Sequence, residues 1–79
     1  AIELTPTELR LLVFLAQHPG QVLSRDQLLE HVWGYAADAI DEKTVNVHVR
    51  RLRTKIERDP DAPVIVVTVP GLGYRLGGG

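Results

Sequence analysis

Apolar residues recur along this chain with two different periods, and the periods mark out its elements. Leu9, Leu12, Val13 and Ala16 are spaced as on one face of a helix, and Leu11, Phe14 and Leu15 widen that face. Thr5-Pro6-Thr7-Glu8 supplies the start: a hydroxyl that can cap, a proline suited to the first helical position, and a glutamate that completes a capping box. His18-Pro19-Gly20 stops the helix. A short extended piece, Gln21-Val22-Leu23, leads to a second capping box at Ser24-Arg25-Asp26-Gln27. That box launches Leu28, Leu29, Val32 and Trp33 before Gly34 breaks the helix. Residues 34–40 sustain no period and are expected to form a loop. Farther on, Val64 to Val69 is a β-prone run, Pro70-Gly71 suits the central positions of a type II turn, and Tyr74-Arg75-Leu76 returns as a second strand. Gly77-Gly78-Gly79 is expected to fray.

Between loop and hairpin the pattern conflicts with itself. Thr44 to Val49 alternates polar and β-branched residues, as a half-buried strand does, yet Arg50, Arg51, Arg53 and Lys55 follow at once. The residues beyond Val49 break the tie. Val45, Val49, Leu52 and Ile56 are spaced 4, 3 and 4 apart, which at about 100° per residue puts them within about 60° of arc. A strand would have to bury Arg51 or Arg53 on the face that Val49 occupies. The segment, about 42–57, is therefore predicted to be a third helix, and its early alternation is coincidental.

A third helix buried along that stripe turns Lys43, Val47, Arg50, Arg51, Thr54 and Arg58 outward. Asn46 and Arg53 then lie on one flank, Thr44, His48 and Lys55 on the other. Val47 is the informative residue. A valine among cations gains nothing from water and is a weak helix former, but in a DNA major groove it can meet a thymine methyl. Arginines can fork onto guanine O6 and N7, and Asn46 can pair with adenine. The remaining cations and hydroxyls would hold phosphates.

Charge changes the picture only through its placement. The chain carries a net charge of −1 over 79 residues. Residues 1–42 hold seven acids against Arg10 and Arg25, whereas residues 43–58 hold Lys43, Arg50, Arg51, Arg53, Lys55 and Arg58 against Glu57 alone. One helix thus concentrates the positive charge of an otherwise acidic domain. With no cysteine, there is neither a disulfide framework nor a thiolate metal site. His18, His31 and His48 lack the spacing of a metal motif, Ser24 is explained by its capping box, and no glycine-rich phosphate loop precedes a helix. No enzyme, cofactor or metal is expected. No apolar run approaches the roughly 20 residues of a membrane span, and a cytoplasmic location is expected.

Four blocks, LTPTELRLL, VLSRDQLLEHVWG, KTVNVHVRRLRTKIE and TVPGLGYRL, in this order and spacing, resemble the effector domain of OmpR/PhoB-type response regulators. The resemblance covers nearly the whole chain. It implies an α+β winged helix-turn-helix: three helices and a C-terminal β-hairpin wing (64–76), with the third helix in the major groove of promoter DNA. It also implies tandem dimers on direct repeats, a contact to RNA polymerase through loop 34–40, and control by a receiver domain of the same chain. By matching position, base contacts fall on Asn46, Val47 and Arg51. Phosphate contacts fall on Trp33, Lys43, Thr44, His48, Arg50 and Arg53, with Thr68 and Tyr74 from the hairpin.

Two departures stand out. The family's wing turn commonly carries an arginine where this chain has Pro70, and residues 59–74 hold no Lys or Arg; weak minor-groove readout is expected. The family's N-terminal sheet is largely absent, with Ile2-Glu3-Leu4 expected as its last strand, so residues 1–79 are expected to be one domain excised from a longer two-domain chain. The rival function is a protein-interaction module on the same fold, contacting a partner through loop 34–40 with little DNA readout.

Overall fold

The computed structural model describes residues 2–34 and 41–77. Helix α1 runs Pro6–Gln17 under the expected capping box: the Thr5 hydroxyl accepts from the Glu8 N–H at 3.2 Å, and the Glu8 carboxylate accepts from the Thr5 N–H at 2.8 Å. Helix α2 covers Arg25–Leu28, with Ser24 and Gln27 capping each other in the same way, and widens into a π-helical turn over Leu29–Trp33. One uninterrupted α-helix was expected there. Leu28, Leu29, Val32 and Trp33 include spacings of both four and five residues, so the sequence fits either winding. Helix α3 spans Glu42–Ile56, with the Asp41 carboxylate capping the Lys43 N–H at 3.0 Å. Residues 35–40, most of the expected loop 34–40, lie outside the described residues.

The side of α1 that is buried differs from the expected stripe. Leu11, Leu15 and Glu8 face the core, with Leu12 and Phe14 partly covered. Leu9 and Val13 remain 50 % and 44 % exposed, and Ala16 is exposed as well. Residues 11–16 are uniformly apolar, so periodicity has nothing to choose between there, and the buried side also carries a carboxylate. Glu8 is 1 % exposed, and its side chain meets the Lys55 ammonium of α3 at 2.5 Å. Helix α1 thereby packs on α3 through an apolar stripe that ends in an ion pair. Hydrogen bonding and charge from Lys55, with the Thr5 N–H bond, hold the Glu8 carboxyl below its ordinary pKa against the opposing effect of burial.

Strands β1 (Val66–Val69) and β2 (Gly73–Leu76) pair antiparallel, with Val66 opposite Leu76 and Val69 opposite Gly73. The turn between them matches the predicted type II: the Leu72 N–H donates to the Val69 carbonyl at 3.0 Å, and Gly71 has φ 76°. Leu23 and Tyr74 exchange backbone hydrogen bonds of 2.7 and 2.9 Å, so the short extended piece after α1 docks on the hairpin. Gly73 permits this approach, because a Cβ there would lie 2.1 Å from the Leu23 carbonyl oxygen.

The first strand is shorter than its β-prone run, for Val64 and Ile65 give their N–H groups to the Glu57 carboxylate instead. Two expectations at the ends change too. Gly77 is not frayed but donates to the Ile65 carbonyl at 2.6 Å. Ile2-Glu3-Leu4 forms no strand; Leu4 packs against the core by hydrophobic contact. The three helices and the hairpin make the expected winged helix-turn-helix. No helix among the described residues is long and apolar enough to cross a membrane.

Candidate nucleic-acid interface

Val45, Val49 and Leu52 are at most 1 % exposed, which fixes the rotation of α3 about its axis. The predicted outward residues follow. Lys43, Asn46, Val47, Arg50, Arg51 and Thr54 are exposed on the helix, and Arg58 is exposed just beyond it. Val47 is 45 % exposed and stands about one helical turn from Lys43, Arg50 and Arg51 on the same face. Thr44, His48 and Arg53 are half-buried on the flanks, as the spacing required.

On one flank the His48 ring uses Nδ1–H to donate to the Thr44 carbonyl at 2.8 Å, which leaves Nε2 directed away from the helix backbone. Trp33 meets this ring edge-on at 5.1 Å between centroids and is itself half-buried. The predicted phosphate ligands Trp33, Thr44 and His48 are therefore one contiguous patch beside the start of α3. Lys55, on the same flank, is drawn back onto Glu8.

The other flank is organised differently from the expectation. Arg53 donates from Nε to the Val66 carbonyl at 2.9 Å and from a terminal nitrogen to the Thr68 hydroxyl at 2.6 Å. Its guanidinium lies 5.5 Å over the Tyr74 ring. Tyr74, only 5 % exposed, donates its hydroxyl to the Asn46 carboxamide oxygen at 2.6 Å. Arg53 and Tyr74 thus clamp the hairpin to α3: the Tyr74 hydroxyl spends its one donor on Asn46, whereas Arg53 uses two of its five N–H donors within the fold. An open groove of about 820 Å³ runs between α3 and the hairpin, with Asn46, Arg50, Arg53, Thr68 and Tyr74 among its walls.

Glu57 has a structural role that its place in the sequence does not show. Its place among the cations makes it their one opposing acid, but it is 7 % exposed and turned inward. Its two oxygens accept from the N–H groups of Val64 (2.9 Å), Ile65 (3.1 and 3.0 Å) and Val66 (2.7 Å). It therefore sets the point from which the hairpin leaves α3. No periodicity signals this role, because the partners are backbone groups. Among the described residues, no group of three or more His, Asp or Glu is placed to hold a metal ion.

Pro70 sits exposed at the tip of the turn, so the wing ends without a charge. Pro70→Arg is expected to tighten binding to a DNA duplex and steepen its salt dependence by about one unit in log K against log salt. Titration of both proteins across a salt series measures this, and identical slopes would place the wing tip away from DNA.

This geometry defines a class. The family described as "Transcriptional regulatory protein, C terminal" matches residues 1–76, and the chain belongs to it. It is 58 % identical over 76 residues to the DNA-binding response regulator MtrA of Mycobacterium tuberculosis, a match covering 96 % of this chain and 33 % of that protein. Among solved structures, response regulator DrrB of Thermotoga maritima, an OmpR/PhoB homolog, aligns with a TM-score of 0.87 at 36 % identity, covering 98 % of this chain and 34 % of that one. The Klebsiella pneumoniae RstA DNA-binding domain, solved in complex with the RstA box, aligns with a TM-score of 0.83 at 33 % identity, covering 96 % and 74 %. The OmpR/PhoB resemblance read from the four sequence blocks therefore holds. The chain spans about a third of the length of its curated relatives.

Proposed function

We propose that this domain binds double-stranded promoter DNA sequence-specifically and serves as the output half of a two-component response regulator. The observation that carries the proposal is the exposed face of α3: an apolar Val47 set among Lys43, Arg50 and Arg51 on a helix whose opposite face is locked into the core. Such a face suits a major groove, where a methyl-sized apolar contact and forked donors both have partners. Arg51, Val47 and Asn46 are the base-facing residues. Lys43, Arg50, Thr44, His48, Trp33, Thr68 and the remaining N–H groups of Arg53 hold phosphates, while Tyr74, whose one donor is spent on Asn46, keeps the hairpin registered on the helix.

Several further features come with this reading. A receiver domain belongs to the same chain, the domain works in the cytoplasm as a tandem dimer on direct repeats, and residues 34–40 meet RNA polymerase. It catalyses no reaction. The relatives' roles as DNA-binding response regulators and the RstA domain's complex with its box support the reading.

The test is fluorescence anisotropy of the domain against a pooled promoter library and a scrambled duplex across a salt series. Binding that weakens steeply with salt, by about 0.9 log units per phosphate neutralised for each tenfold rise in salt, and that favours particular library members is the expected result. Absence of binding at low salt would overturn it in favour of a protein-interaction module.

A further inference from the structure

The hydroxyl of Tyr74 touches a residue proposed to read bases, and that contact has a consequence for which base is read. Tyr74 cannot follow Asn46 if Asn46 moves. Its backbone N–H and carbonyl are both bonded to Leu23, and on its other side it stands opposite Thr68 in the hairpin register. Its ring lies beneath the Arg53 guanidinium, itself fixed by the Val66 carbonyl and the Thr68 hydroxyl. The hydroxyl position is therefore set by the fold. Asn46, exposed on α3, is the partner that adapts, and its Oδ1 lies 2.6 Å from that hydroxyl.

A carboxamide held in this way commits one lone pair of its oxygen, and the direction in which that oxygen turns, to the protein, and among the described residues its NH2 donors have no partner. Pairing with adenine needs both ends of the amide at once, an acceptor for N6–H and a donor for N7. Guanine instead offers two acceptors, O6 and N7, to an incoming donor. We infer that Tyr74 is a positioning residue for specificity: by turning the Asn46 oxygen toward the hairpin it makes Asn46 read through its NH2 group, which selects guanine over adenine. This replaces the adenine pairing expected from the sequence, and it rests on the proposal that α3 reads DNA.

The inference separates from that proposal experimentally. Wild type, Asn46→Ala and Tyr74→Phe are each titrated against duplexes carrying every single-base replacement in the selected site. The position whose preference flattens in Asn46→Ala is the one Asn46 reads. Wild type is expected to prefer guanine to adenine there by about tenfold, within the range of a good base contact. Tyr74→Phe frees the amide to rotate, so the preference at that position alone shifts toward adenine while the other positions keep theirs.

A wild-type preference for adenine overturns the inference without any hydroxyl variant, and so decides the matter even if Tyr74→Phe fails to fold. A Tyr74→Phe protein that folds and keeps the wild-type profile overturns it too, as does an Asn46→Ala profile identical to wild type. Uniform weakening across all sequences in Tyr74→Phe would assign Tyr74 to a phosphate and likewise overturn it. Binding by wild type without any base selection removes the underlying DNA-reading proposal along with the inference, an outcome distinct from the others.

Discussion

Replacing Glu57 with alanine is expected to destabilise the domain by on the order of 3–5 kcal/mol, the usual consequence of removing one side of a buried, fully bonded charge. Three consecutive N–H groups, those of Val64, Ile65 and Val66, lose their acceptor in the variant. The Val66 N–H is buried at the foot of the hairpin, where water does not easily substitute. Domains of this size have roughly 5–15 kcal/mol in total, so the midpoint of thermal unfolding should fall by tens of degrees, at about 4–8 °C per kcal/mol. A loss under about 0.5 kcal/mol in urea unfolding would show that solvent or a shifted hairpin can serve those N–H groups equally well.

Acid should reproduce part of this loss in the unmodified protein. Burial pushes the Glu57 carboxyl up, but the N–H bonds of Val66, Val64 and Ile65 and the nearby Arg53 charge outweigh it and leave the pKa lowered. Glu8 is lowered as well, chiefly by its hydrogen bond to Lys55. A carboxyl whose pKa is lower folded than unfolded contributes its full stability above the unfolded value, and loses it as pH falls through the folded one. Stability should accordingly be flat near neutrality and decline from about pH 4–5 downward. Glu57→Gln should flatten that decline only partly, since the Glu8–Lys55 pair titrates in the same direction. Urea midpoints measured between pH 7 and pH 3 for both proteins test this; a decline of the same size in Glu57→Gln would exclude Glu57 as a contributor.

The double substitution Arg50→Ala, Arg51→Ala is expected to have the opposite signature: a large loss of DNA affinity with little change in stability. Among the described residues neither guanidinium makes a hydrogen bond or ion pair within the fold, and both are exposed. Their removal should shift the unfolding midpoint by no more than a degree or two. Affinity for the selected duplex should fall by on the order of a hundredfold or more, combining a lost base fork with a lost phosphate contact. The single variants should divide the effect. Arg51→Ala is expected to flatten selection at one or two positions. Arg50→Ala should weaken all sequences about equally and reduce the salt slope by about one unit. If the double variant binds as wild type does, α3 is not the reading element, and the protein-interaction reading gains the ground.

The two variants divide the molecule much as the sequence and the tertiary structure divide its description. Whatever repeats locally is legible in the order of residues alone. Both capping boxes, the type II turn and the inward stripe of α3 depend on residues three or four apart, so short-range geometry suffices to predict them. From that stripe the exposed arginines and Val47 followed directly, because a helix rotated to bury Val45, Val49 and Leu52 has no other way to place them.

What escaped the sequence was every polar side chain whose partner lies far along the chain or in the backbone. Glu8 was legible as a cap but not as the buried partner of Lys55, 47 residues away. Without that pair, the apolar run of α1 could not show which side faces inward. Glu57 read as a surface acid because nothing in its neighbourhood announces three backbone donors arriving from residues 64–66. Arg53, Tyr74 and Asn46 read as three separate DNA ligands, yet they meet only when the hairpin folds back on α3. Periodicity encodes which face is apolar, since burial rewards every residue on that face alike. Hydrogen bonds and ion pairs join particular atoms across distant segments, and only the assembled chain decides which atoms those are.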